Sequence, residues 1–344
     1  MERFNQGFTL FLSLLVEAMP FLLLGVLLSS LLLIFVDERK LIEIMPRNPL
    51  LGALAGSVFG FLFPVCECGN VPVARRLLIQ GIPPSVGVGF LLAAPTINPI
   101  VIWSTWTAFR GQPEIVVMRI VLSLSIATII GWIFSAQADI RPLLQPSVAR
   151  AMPAPRRATQ TGEADSAAAL LQGGTFIVGG AAGQPMPLDS LTTMSAAATA
   201  AVLPQEKIWG YRLRLVLDNL VQEMRELGGV LVLGSAIAAV IQTAVPREII
   251  LNLGQGPVTS IIAMMALAAV ISICSTVDSF FALSFASSFT SGALLSFLVF
   301  GPMIDLKAIG LLLSVFRARA VLYLILLAGQ LAFLSTLFIN LHVS

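Results

Sequence analysis

Pro64-Val-Cys-Glu-Cys-Gly-Asn-Val-Pro72 interrupts an apolar run in the first part of the chain, and Cys274-Ser-Thr-Val277 interrupts another in the second part. Cys66 and Cys274, which mark these two breaks, are 208 residues apart. Both breaks combine cysteine with small or polar residues, and both stand where a continuous apolar helix would otherwise be expected. The matching position and character of the two breaks predict that the chain contains one structural plan twice.

Two further breaks follow the cysteine breaks, one in each part of the chain. They read Ala94-Pro-Thr-Ile-Asn-Pro99 and Gly301-Pro-Met-Ile-Asp305, and Asn98 and Asp305 are 207 residues apart. Repeated halves with Pro/Gly-interrupted hydrophobic segments in corresponding places are typical of secondary transporters. In hydrocarbon every backbone polar group needs a partner, so a broken helix must lie inside protein or beside water. The four breaks therefore predict a shared central cavity.

The composition is that of a membrane protein. Hydrophobic residues make up 57% of the chain and charged residues only 11%, whereas soluble domains carry roughly 25% charged residues. Several apolar runs approach or exceed the 20 or so residues that cross ~30 Å of hydrocarbon. The sequence predicts an all-α polytopic membrane protein with two pseudo-symmetric repeats of about four spans each, with broken or re-entrant helices around the cavity.

Other function classes lack the residues they need. No Gly-x-x-x-x-Gly-Lys-Ser/Thr loop occurs, and the one histidine, His342, stands near the C-terminus, away from any serine–histidine or imidazole–metal arrangement. The net charge of +2 gives no basis for nucleic-acid binding. We therefore expect no enzyme activity, no cofactor and no nucleic-acid partner.

The domain organisation follows from a change of composition. Residues 141–207 are rich in Pro, Gly, Ala and Thr and predict a flexible linker between a first repeat, 1–140, and a second, 208–344. Four crossings per half would make the repeats parallel, whereas a re-entrant hairpin in each would make them inverted. Lys and Arg flank the linker, which predicts that it and both termini are cytoplasmic.

The cysteine break offers the clearest site chemistry. Cys66 and Cys68 lie on one side of an extended or turning backbone and are predicted to bind one soft ion, such as Cu(I), Zn(II) or trivalent arsenic. The alternative is that both are small buried hydrophobes. Glu67, a carboxylate in an apolar setting, is predicted to carry protons. Cys274 is a candidate third thiol if the two halves close around one cavity.

Polar residues at the other breaks complete the predicted site. Asp278 and Asp305 are intramembrane carboxylates, which are costly and usually functional. Asp305 is predicted to carry protons, against the alternative of a local salt bridge with Lys307, and Asn98 is predicted to bind substrate, against a plain capping role. The residues predicted to bind substrate share a position in or beside a break: Cys66, Glu67, Cys68, Asn70, Pro95, Asn98, Pro99, Cys274, Thr276, Asp278, Pro302 and Asp305.

These residues also carry a family resemblance. The ordered set Cys66-Glu-Cys-Gly-Asn-Val-Pro-Val-Ala-Arg75, Gly81-Ile-Pro83, Phe90-Leu-Leu-Ala-Ala-Pro-Thr-Ile-Asn-Pro99 and Gly301-Pro-Met-Ile-Asp-Leu-Lys307 resembles the predicted-permease family that includes ArsP-type organoarsenical exporters. The resemblance covers both halves and leaves out the linker. It implies an inner-membrane permease, in some members an exporter of trivalent organoarsenicals.

Together these observations predict a multi-pass permease of the cell inner membrane, a secondary transporter that exports a small polar or thiol-reactive solute, such as an organoarsenical or a soft metal species. The expected partners are the solute or ion, the lipid bilayer, and a further copy of the chain or a thiol-redox protein. Two alternatives stay open at this point. One is a membrane thiol-redox relay that uses Cys66 and Cys68, and the other is a channel.

Overall fold

A computed structural model describes residues 2–35, 46, 48–63, 66–137, 140–152, 177–179, 185–187, 205–244, 256–286 and 289–342. The described residues are almost entirely helical. Among the described residues before the predicted linker there are six helices, α1 (Glu2–Phe35), α2 (Pro49–Leu62), α3 (Glu67–Ile79), α4 (Pro84–Ile97), α5 (Pro99–Ala108) and α6 (Pro113–Ser135). Pro64 of the first break lies outside the described residues.

The later helices follow a similar order. After a 3-10 turn (Arg141–Leu143) come α7 (Pro146–Ala151), α8 (Gln205–Ala244), α9 (Pro257–Ile271), α10 (Asp278–Leu283), α11 (Ser291–Met303), α12 (Leu306–Val315) and α13 (Ala318–His342). Two three-residue strands, β1 (Ile177–Gly179) and β2 (Pro185–Pro187), pair antiparallel. Residues 1–153 and 219–344 form one compact unit, and residues 154–218 form a second.

Proline positions explain where many of these helices begin. Proline is favoured at the first helical position, where its missing N–H would have no intrahelical partner. Six of the described helices begin in this way, at Pro49, Pro84, Pro99, Pro113, Pro146 and Pro257. Pro72, Pro95 and Pro302 instead lie inside α3, α4 and α11. The prolines therefore both start helices and disturb them close to the breaks.

The described residues contain six helical segments that are long and apolar enough to cross a membrane: Asn5–Ser30, Pro84–Ala108, Pro113–Ser135, Val216–Thr243, Ser291–Val315 and Ala318–His342. Two of these segments are broken helices, α4 with α5 and α11 with α12. Shorter apolar helices cover Pro49–Phe61 and Pro257–Ile271. The prediction of an all-helical multi-pass membrane protein is confirmed, and the count of eight spans stays a prediction.

The broken segments are the most enclosed ones. Inside the protein, 83% of the apolar window of Pro84–Ala108 is buried and 67% of that of Ser291–Val315, against 28% for both Asn5–Ser30 and Ala318–His342. This is the arrangement that hydrocarbon imposes, because the free backbone groups at a break need protein or water around them. The continuous helices α1 and α13 therefore provide much of the lipid-facing surface.

The two predicted repeats pack into one core. α3 contacts α12, α5 contacts α10, α4 contacts α11, and α6 contacts α13. Buried residues of both parts belong to one apolar cluster, which includes Cys66, Phe90, Cys274 and Phe316. Each short helix that follows a cysteine break therefore packs on the helix that follows the later break in the other part of the chain.

The start of the predicted linker is packed against this core. Gln145 N donates to Val315 O at 2.9 Å, and Arg317 N donates to Leu143 O at 2.8 Å. Leu144, which forms an antiparallel β-bridge with Phe316, and Val148 on α7 are fully buried. Residues 141–152 thus differ from the expected flexible segment, because their apolar side chains find a surface to cover.

A close crossing of α1 and α3 depends on glycine. A Cβ atom added at Gly25 would lie 2.2 Å from Gly69 O, so the two backbones touch where α3 leaves the cysteine break. Gly69 is helical and has no positive φ, so this crossing requires space between the two backbones and not a left-handed conformation.

We expect Gly25→Ala to separate α1 from α3 and to lower the thermal midpoint of the detergent-solubilised protein by several degrees, because the contact is backbone against backbone. The measurement is thermal unfolding followed by fluorescence-detected gel filtration. Gly228→Ala on α8 is the matched control, since a Cβ there meets nothing within 4 Å. Equal midpoints for the two variants would contradict the close crossing.

Candidate functional site

The first cysteine break ends at the N-terminus of α3. Cys66 is the N-cap residue and Glu67 is the first helical residue. The side chains of Cys66, Glu67 and Cys68 are all buried, with Glu67 only 4% exposed. A helix N-terminus favours negative charge, so the carboxylate and the neighbouring thiols stand where anionic groups are stabilised.

Three ligand-type side chains from the two cysteine breaks meet at this point. Cys66 Sγ, a carboxylate oxygen of Glu67 and Cys274 Sγ all lie within 4.8 Å of one another. Cys274 comes from the break between α9 and α10. The thiol of Cys68 interacts with that of Cys66 but does not belong to this group. The sequence pairs Cys66 with Cys68, whereas the structure brings Cys66 together with Glu67 and Cys274.

A buried lysine faces this cluster from α12. Lys307 is 1% exposed, and its Nζ lies 3.9 Å from Glu67 Oε1, an ion-pair distance that is too long for a hydrogen bond. Glu67 Oε2 is buried and has no hydrogen-bond partner among the described residues. One oxygen of this carboxylate is thus near a cation, and the other is available for a ligand.

Asp305 stands two residues before Lys307, at the N-cap position of α12. Its Oδ1 accepts a hydrogen bond from Ala308 N, and its carboxylate also interacts with Ser272 and Lys307. Ser272 ends α9 in the left-handed conformation, with φ 48°, and its Oγ accepts from Leu306 N at 3.1 Å. The two breaks of the second part of the chain therefore meet at the start of α12.

Asn98 has the same local geometry at α5. Its side-chain oxygen accepts from Val101 N at 2.8 Å, as Asp305 accepts from the residue three positions ahead of it. Both side chains thus satisfy a free N–H group at the start of the helix that follows a break. Asp305 has a carboxyl oxygen where Asn98 has an amide nitrogen, so only Asp305 can ionise.

Asn70 has a packing role that explains its place in the break motif. Pro95 has no N–H, so the carbonyl of Leu91, four residues earlier in α4, lacks its intrahelical donor. Asn70 Nδ2 donates to Leu91 O at 2.6 Å and supplies that hydrogen bond from α3. Asn70 and Pro95, which the sequence places in the substrate site, are therefore linked through helix packing.

Asp278 belongs to a second buried polar cluster. Its two carboxylate oxygens face Arg119 of α6, with Nη1 to Oδ1 at 3.2 Å and Nη2 to Oδ2 at 2.7 Å. Arg119 Nη1 also donates to Thr105 of α5 at 2.8 Å and to Ser279 at 2.9 Å. This network joins α5 and α6 to α10 and occupies both oxygens of Asp278.

The predicted residues thus separate into groups. Cys66, Glu67, Cys68, Cys274 and Asp305 lie around Lys307, and Thr276 donates to Cys274 Sγ at 3.6 Å. Asp278 lies in the Arg119 network. Pro302 is inside α11, and Pro99 is exposed at the start of α5.

Sequence reasoning missed Lys307, Arg119 and Ser272 as site residues. A signal was present for Lys307 and Arg119, because a cation within an apolar helix requires a partner.

A third ion pair contrasts with the buried ones. Arg75 of α3 donates to Glu226 of α8 at 2.8 Å, and the Glu226 side chain is 46% exposed. Glu223, one turn earlier on α8, accepts from Ser29 of α1 at 3.3 Å. Arg75 thus joins α3 to α8.

Comparison with known proteins gives consistent matches. A family model described as predicted permease matches residues 3–341. The UPF0718 protein YcgR of Bacillus subtilis is 37% identical over 324 residues, which are 94% of this chain and 93% of that protein. A Streptococcus mutans protein, whose name describes a subunit of a two-component membrane permease complex, is 28% identical over 321 residues, 92% of this chain and 89% of that protein. No solved structure matches the chain.

Proposed function

We propose, since the chain belongs to the predicted-permease family, that it is a secondary transporter whose solute binds between the two parts of the chain. One observation carries this proposal. Thiol, carboxylate and ammonium groups from breaks in both parts of the sequence are buried together: Cys66 and Glu67 from one part, and Cys274, Asp305 and Lys307 from the other. Polar groups at membrane depth are costly and mark substrate or ion pathways.

The proposed architecture is a pair of pseudo-symmetric repeats around this site. Two features support it. Asn98 and Asp305 cap α5 and α12 in the same way, and the helix after each cysteine break contacts the helix after the later break of the opposite part. Repeats that rock against each other around a fixed midplane site would expose it alternately to the two sides. Parallel and inverted repeats both agree with these contacts.

The proposed solute is small and either polar or reactive toward thiols, and export from the cell across the inner membrane is the proposed direction. The linker and both termini would then face the cytoplasm. The family resemblance adds trivalent organoarsenicals as a candidate substrate. The name of the Streptococcus mutans relative adds a second membrane subunit as a candidate partner.

Asp305 is the proposed proton carrier. Glu67 is the other carboxylate that the sequence predicts for this role, but it faces the two thiols, so the proposal rests on Asp305. A capping carboxylate beside a buried lysine can change its charge without losing its place, because the helix N–H group holds it in either state.

We expect Asp305→Asn to abolish the response of transport to an imposed pH gradient while the protein still folds, because asparagine caps α5 in the same way at Asn98. The measurement is flux of a trivalent methylarsenical across proteoliposomes with and without the gradient. Asp218→Asn, an exposed carboxylate on α8, is the control. Unchanged flux and unchanged pH dependence in Asp305→Asn would remove the proposed proton role.

A thiol-redox relay is the second candidate function, and the proximity of Cys66 and Cys274 supports it beyond the Cys66–Cys68 pair of the sequence. Joining two thiols as a disulfide releases two protons and passes two electrons to a disulfide-containing partner. Alkylation before and after reduction, read by peptide mass spectrometry, separates the functions. A reversible disulfide in cells favours the relay, and thiols that stay reduced during turnover oppose it.

A further inference from the structure

We infer that Cys66, Cys274 and Glu67 form a three-ligand site for a divalent, thiol-preferring cation of the Zn(II) or Cd(II) class. This inference names the solute class of the proposed transport site and rests on that proposal for its transport consequences. As a binding site it stands on the geometry alone. Its ligand set differs from the Cys66–Cys68 pair that the sequence predicts.

The distances suit such an ion. Zinc binds cysteine sulfur at about 2.3 Å and carboxylate oxygen at about 2.0–2.2 Å, so tetrahedral coordination puts two sulfurs about 3.8 Å apart. The three ligand atoms lie within 4.8 Å of one another. Side-chain rotations that move these atoms by about 1 Å would bring all three within bonding distance of one ion. Mixed sulfur and oxygen ligands favour zinc-like ions over Mg²⁺, which prefers oxygen alone.

The free carboxylate oxygen is an independent indication of a ligand. Glu67 Oε2 is buried without a hydrogen-bond partner among the described residues, although Glu67 is only 4% exposed. A buried polar atom that stays unpaired costs roughly 1–3 kcal/mol, more if it is charged, so such atoms usually have a function. A bound cation would give this oxygen a partner.

Charge arithmetic selects a divalent ion. Without the ion, the neutral thiols carry no charge, and Lys307 faces both the Glu67 and the Asp305 carboxyl groups. Binding breaks two S–H bonds, forms two metal–sulfur bonds and one metal–oxygen bond, and releases two protons without any electron transfer. The two new thiolates add two negative charges, which a divalent ion offsets in full. A monovalent cation would leave one buried negative charge unmatched, which is expensive in a low-dielectric interior.

Three protein ligands also suit release of the ion. Structural zinc sites use four protein ligands, whereas sites that exchange a ligand keep the fourth position open. The ligands come from breaks in both parts of the chain, so a rocking motion that separates α3 from the α9–α10 break would take the ligand set apart. A site of this kind can bind an ion in one state and release it in the other.

The test is binding of Cd²⁺ to the full-length reduced protein in detergent, read by the ultraviolet charge-transfer absorbance of cadmium thiolates and by equilibrium dialysis. We expect one Cd²⁺ per chain and no competition by Mg²⁺. Cys274→Ser should weaken binding at least about 100-fold, since even outer-shell partners of a metal are worth 10–100-fold in affinity. Ser275→Ala, a buried neighbour without a hydrogen-bond partner among the described residues, should bind as the wild type does.

Two results would overturn the inference: wild-type Cd²⁺ affinity in Cys274→Ser, or in Glu67→Gln. If these variants do not fold, protection of the wild-type thiols replaces them. Cd²⁺ should then shield both Cys66 and Cys274 from alkylation, and protection of Cys66 without Cys274 would refute the site. Cd²⁺ binding without Cd²⁺ flux in proteoliposomes would support the binding site and reject transport of this ion. Arsenical flux without Cd²⁺ binding would reject the binding site and support the proposed transport function.

Discussion

Asp278→Asn is expected to cause the largest loss of stability of any single substitution considered. It leaves Arg119 buried, 2% exposed, without the carboxylate that both of its terminal nitrogens face. Breaking a buried pair by removing one partner costs about 3–5 kcal/mol. A guanidinium cannot lose its proton to escape this cost, whereas a carboxyl can gain one. Arg119→Met should therefore be less damaging than Asp278→Asn.

The measurement is the thermal midpoint in detergent, which should fall by roughly 4–7 °C for Asp278→Asn, because about 2.1 cal/mol/K per residue over 344 residues gives about 1.4 °C per kcal/mol. The double variant Arg119→Met with Asp278→Asn should recover much of the loss, because no buried charge is left unmatched. Glu226→Gln is the matched control, since its arginine partner is as close but the Glu226 side chain is 46% exposed, and pairs that reach solvent are worth about 1 kcal/mol or less.

If Asp278→Asn and Glu226→Gln lowered the midpoint equally, the buried network would not be what joins α5 and α6 to α10. The two pairs have similar lengths, 2.7 Å and 2.8 Å, so the comparison tests burial together with the second Arg119–Asp278 hydrogen bond and not the contact length. A failure of the double variant to recover stability would instead assign the loss to Thr105 and Ser279, which share the arginine.

Lys307→Met is expected to have the second largest effect, and on transport as well as stability. It removes the only cation that the described structure places beside Glu67, and it leaves Glu67 buried next to two thiols. We expect a cost of about 3 kcal/mol, the lower end of the range for a broken buried pair, because the two atoms are 3.9 Å apart. The loss of Lys307 destabilises the Asp305 carboxylate less, because Asp305 still accepts a hydrogen bond from Ala308 N at the start of α12.

A second substitution separates the two effects of Lys307→Met. Glu67→Gln in the same chain should restore the folded amount, read by fluorescence-detected gel filtration, because the unmatched carboxylate is gone. Transport in proteoliposomes should stay lost, since Glu67 is part of the proposed site. Recovery of flux in this double variant would mean that neither residue takes part in transport, and the Glu67–Lys307 pair would then be structural.

Local features of the fold follow from the sequence. Pro84, Pro99 and Pro257 start helices because proline fits the first helical position, and Asn98 and Asp305 cap the helices after the breaks because their side chains reach a free N–H three residues ahead. These preferences act within a few residues, so a single sequence reveals them. In the same way, the low charge content and the apolar runs indicate a membrane environment.

The partners of the buried charges could not be read from the sequence. Arg119 pairs with Asp278, 159 residues away, and Cys66 and Glu67 meet Cys274 from the other part of the chain. A charged residue in an apolar helix indicates that a partner exists, but any of several carboxylates would meet that requirement. Only the packing of α3 on α12 and of α5 on α10 selects among them.

The sequence by itself therefore determined that the chain is an interrupted helical membrane protein, and it located the four breaks, because proline geometry, capping and the solvation of apolar runs are local properties. The tertiary structure decided which break residues meet: Cys66 with Cys274 and Glu67, Lys307 beside them, and Asp278 with Arg119 instead of with the thiols. The physical reason is that side-chain pairing between helices depends on how they cross, and crossing depends on contacts such as Gly25 against Gly69 that are distant in sequence.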